Sequence, residues 1–139
     1  MGHLFRFFQK KQTNAIESVQ EMTLTLIGMR VTQVYKIDCA DGNAQIALLR
    51  KVYEKNADHL EPEKCTDRPE QSLVALMNSC SVLYWNGFHG PHPKNLHDGT
   101  MFQFSAAVNQ GQTIHADGSE NFPKGYREFV RTLNEWLTE

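Results

Sequence analysis

The stretch from Thr100 to Ala116 constrains this chain more than any other. Phe102, Phe104, Ala106 and Val108 alternate with Met101, Gln103 and Ser105, the two-residue period of a strand with one apolar and one polar face. Asn109-Gln110-Gly111 follows as a tight reversal, and Gln112 to Ala116 returns with Ile114 and Ala116 in phase. Such a hairpin exposes an apolar face that only a second layer can bury. The C-terminal stretch offers that layer. Pro123 opens a helix in which Tyr126, Phe129, Val130, Leu133 and Leu137 form one apolar stripe. Lys124/Glu128 and Arg131/Glu135 sit four apart on its outer side, each pair worth about 0.3 kcal/mol.

The same two periods organise the rest. Met22, Leu24 and Leu26 alternate with Thr23, Thr25 and Ile27, and Gly28 to Arg30 suits a turn. Val31 to Cys39 is a second strand, with Tyr35, Ile37 and Cys39 on one face and Thr32, Val34 and Lys36 on the other. After the reversal at Asp41-Gly42-Asn43, Ala44 to Tyr53 reads as a third strand with Ile46, Leu48 and Val52 on one side. Asn56 to Arg68 is polar and reads as a loop. A helix then starts with Asp67 as N-cap, Pro69 in the first turn and Glu70 completing a capping box, and Leu73, Leu76, Met77 and Cys80 line its buried side. Val82 to Trp85 is a strand or a helix exit, and Asn86 to Gly99 is a Gly- and Pro-rich loop. An extra N-terminal helix over Gln12 to Glu21 would hold Ala15, Ile16 and Val19. The expectation is therefore an α+β domain: an antiparallel sheet of about five strands, in the order βββ-α-ββ-α, with two helices packed on one face.

At 139 residues, 40% apolar and 22% charged, the chain has the content for one globular domain over 1–139, with residues 1–21 as its N-terminal segment. The formal charge of −2 argues against a dedicated nucleic-acid surface, and no apolar run approaches the roughly 20 residues of a membrane span. Arg6 interrupts the apolar N-terminus, so no export signal is read there, and Leu4, Phe5 and Phe8 are expected to dock on the core rather than lie in a lipid interface. Three widely spaced cysteines, Cys39, Cys65 and Cys80, fit reduced thiols in a cytoplasmic protein.

Trp85-Asn86-Gly87-Phe88, Asp98-Gly99-x-x-Phe102-x-Phe104, Asn109-x-Gly111-x-x-Ile114-x-Ala116-x-Gly118-Ser119 and Phe122-Pro123-x-x-Tyr126-x-x-Phe129 form a sparse pattern over residues 84–137. This pattern resembles the C-terminal half of small uncharacterised bacterial α+β domains. The resemblance implies a fold and a bacterial origin, and it brings no chemistry with it.

Four constellations bear on chemistry. His89, His92, His97 and Asp98 fall within ten residues and have the ligand types of a zinc site with an open position, although no His-Glu-x-x-His spacing supports it. His115, Asp117 and Ser119 contain the residue types of acyl transfer, without a nucleophile elbow. Cys65 lies near His59, Glu61 and Glu63, without a thiol-protease signature. Trp85 and Phe88 beside the loop suit either a partner-binding surface or pins into the core. Glycine-rich phosphate loops are absent. The reading that follows is a non-enzymatic domain needing no cofactor and acting through a protein partner. The alternative is a small metal-dependent hydrolase using the His89/His92/His97/Asp98 loop.

Overall fold

A computed structural model describes residues 14–139. The elements are β1 (Val19–Ile27), β2 (Thr32–Ala40), β3 (Asn43–Val52), β4 (His59–Pro69), α1 (Glu70–Ser79), a 3-10 turn (Val82–Trp85), β5 (His89–Gly90), β6 (Met101–Val108), β7 (Gln112–Ser119) and α2 (Tyr126–Thr138). The strands form a single seven-stranded sheet in the order β4-β3-β2-β1-β6-β7-β5. Every pairing is antiparallel except that of β5 with β7, which is parallel.

This mostly-sheet, mixed arrangement replaces the expected five-stranded antiparallel α+β domain, and the two added strands explain why. β4 occupies the segment read as a polar loop. It is an edge strand exposed along nearly its whole length, so no face imposes an apolar alternation on its sequence. Pro62 is accommodated at a register shift opposite Leu48 and Leu49, the kind of position in which a sheet edge tolerates proline. β5 is only two residues long and has no periodic signal to read.

The start of α1 differs for the same reason. Asp67 is drawn into the sheet opposite Gln45, Pro69 becomes the N-cap with no side-chain capping bond, and Glu70 accepts a hydrogen bond from the Val19 backbone N–H at 3.0 Å. The carboxylate that suggested a capping box therefore ties the helix to β1. At the other end of the described chain, residues 14–21 of the helix read over 12–21 form the entry into β1 and its start instead, residues 12 and 13 lying outside the described residues. Asn78 accepts from the Ile16 N–H and donates to its carbonyl, both at 2.9 Å, and β1 begins at Val19. Leu4, Phe5 and Phe8 lie outside the described residues. α2 starts at Tyr126 rather than Pro123, with Gly125 as its N-cap and no side-chain capping bond.

One face of the sheet is covered. Met22, Leu24, Tyr35, Ile37, Ile46, Leu48, Phe102, Phe104, Ala106, Ile114 and Ala116 point toward the helices and join Leu73 and Met77 of α1 and Phe129 and Leu133 of α2 in one core. Trp85 is the anchor of this layer. It is 1% exposed, meets Phe104 and Phe129 edge-on at 5.0 and 5.5 Å, and donates its indole N–H to the Lys124 carbonyl at 2.9 Å. Gly125 lets the two helices meet: its φ is +90°, and a Cβ there would stand 2.0 Å from the Cys80 carbonyl oxygen.

Candidate functional site

The other face of the sheet carries no helix, and registry sorts its side chains into rows. Thr23, Ser105 and His115 stand side by side across β1, β6 and β7. Thr25, Gln103 and Asp117 make the next row, which His89 extends on β5. Together the six side chains from β1, β6 and β7 line a shallow depression of about 380 Å³.

The Gly- and Pro-rich segment 86–99 forms a strap along the free edge of β7. Gly87 donates to the His115 carbonyl at 2.8 Å, Asp117 N–H donates to the Phe88 carbonyl at 3.1 Å, and His115 N–H donates to the Asn86 side chain at 2.9 Å. The approach is close enough to demand glycine. A Cβ on Gly90 would lie 2.5 Å from the Asn121 carbonyl oxygen, and one on Gly118 would lie 2.2 Å from it. Two histidines clasp the strap from outside. His89 Nδ1 lies 2.5 Å from Asp117 Oδ1, and because an ionised carboxylate only accepts, that nitrogen carries the proton. His92 donates from Nε2 to the Leu96 carbonyl oxygen and places Nδ1 2.7 Å from Ser119 Oγ.

These contacts divide the sequence candidates. His89 and His92 are brought to the same strap but take different partners on β7, while His97 and Asp98 stay exposed farther along it. Among the described residues no group of three or more His, Cys, Asp or Glu side chains is placed to hold a metal ion. His115, Asp117 and Ser119 do share a strand, but Asp117 serves His89 and Ser119 serves His92. Cys65 is exposed on β4, and His59 pairs with Glu61 at 2.9 Å and Glu54 at 3.9 Å. Of the two readings of Trp85, the pin into the core is the one its burial fits: the indole is surrounded by rings and bonded to the Lys124 carbonyl. Phe88 is half-buried against Phe102 at a centroid distance of 6.2 Å.

A second feature of the helix-free face went unread in the sequence. At the end where β1 turns into β2, apolar residues occupy the phase that is polar elsewhere. Ile27 lies opposite Met101 on one side and Thr32 on the other, and Val34 lies opposite Leu49. The Tyr53 hydroxyl is 3.3 Å from Thr32 Oγ1, and Leu60 pairs with Lys51, whose ammonium sits 5.5 Å from the Tyr53 ring centre. Met29 and Val31 belong to the turn itself, closed by a 2.9 Å bond from the Gly28 N–H to the Val31 carbonyl. Met29 is 75% exposed, and Val31, Tyr53, Leu60 and Met101 are exposed as well. The readable signal was Ile27, Val34 and Met101, each breaking the polar phase of its own strand at one end of three neighbouring strands.

The groups whose proton affinity the fold displaces belong to the covered side. Burial raises the Tyr35 and Tyr126 hydroxyls and the Cys80 thiol, and burial with nearby Glu70 and Asp38 pushes the Cys39 thiol up to about 11. No protein-family model matches the chain, and no curated protein is similar to it in sequence.

Proposed function

We propose that this protein is a non-enzymatic bacterial domain of the cytoplasm that works by holding a protein partner against the helix-free face of its sheet. One observation carries the reading: Met29, Val31, Tyr53, Leu60 and Met101, five of the large apolar side chains the fold leaves exposed, gather at one end of that face. Apolar residues scattered singly over a surface need no explanation, whereas a contiguous group marks a contact. Lys51, which stands beside Leu60 in this phase, is matched within the molecule by Asp58 at 3.9 Å. The partner that fits is therefore a protein with an apolar surface. Three free thiols support a reducing compartment, and no helix among the described residues is long and apolar enough to cross a membrane.

The test is affinity purification of the tagged full chain from its own cells, with wild type beside a Met29→Asp/Met101→Asp double variant. The expected result is a protein recovered in stoichiometric amount with wild type and lost with the double variant. Equal recovery with both, or recovery with neither, overturns the reading.

A further inference from the structure

We draw no further inference here: the strongest candidate, the shallow depression in the middle of the helix-free face lined by Thr23, Thr25, Gln103, Ser105, His115 and Asp117, belongs to the face already described, and nothing in the structure shows what would cover its polar side chains.

Discussion

The two faces of one sheet use the same alternation for opposite ends. On the covered face, Met22, Leu24, Ile37, Ile46, Phe102 and Ile114 are sealed by α1 and α2, and the layer closes around Trp85. On the free face the middle rows are polar and only the end near the β1–β2 turn is apolar, where Thr32 and Val34 are buried but Met29, Val31, Tyr53, Leu60 and Met101 stay exposed. An apolar side chain at a strand position therefore does not say by itself whether it stabilises the fold. What decides is whether a second layer exists above it, because the free energy of burial is gained only when the area actually leaves water.

That contrast is broken most severely from the covered side. Trp85→Ala should cost about 3–5 kcal/mol in urea unfolding, since it removes the largest ring of the core and orphans the Lys124 carbonyl. A loss below 1 kcal/mol would mean that the helix layer is not organised by this ring. Gly125→Ala comes next, at about 2 kcal/mol or more, because the methyl group meets the Cys80 carbonyl and φ is positive. Tyr35→Phe should cost about 1 kcal/mol, the value of the 2.6 Å hydrogen bond that the hydroxyl donates to Asn134 between sheet and helix.

Two milder measurements sharpen the comparison. Because the Cys39 thiol is held at about 11 against an ordinary 9.0, folding favours its neutral form. That contribution is complete below pH 9 and is lost as pH rises toward 11, so the unfolding midpoint should fall over that window more in wild type than in Cys39→Ala. With a thiol reagent at mildly alkaline pH, exposed Cys65 should react fast while Cys39 and buried Cys80 react slowly; three equal rates would contradict the layering. On the free face, Met101→Ala should change stability by less than about 0.5 kcal/mol, and a loss several times larger would show that this end is packed against something within the chain.

How much of this was legible follows from where the signals reside. The phases of β1, β2, β3, β6 and β7 and the stripe of α2 were readable because a half-buried element must repeat its apolar residues at its own geometric period. β4 was not, since an exposed edge strand is under no such demand. Asp67 misled because a capping pattern and a strand end contain the same residue types, and here the pairing with Gln45 prevails. The strap residues His89 and His92 were singled out as ligands, but their partners Asp117 and Ser119 come from residues 28 and 27 positions away, beyond any spacing rule.

By itself, the amino-acid order determined the local elements and which side of each would be greasy, because those properties depend on neighbours two to four residues apart. Only the tertiary structure decided that β1 lies between β2 and β6, that a polar stretch closes one edge of the sheet, and that Ile27, Met101 and Leu60 come to the same end of the face without helices. Those are choices of partner across tens of residues. They are settled by the competition of whole faces for burial, in which no single segment contains the answer.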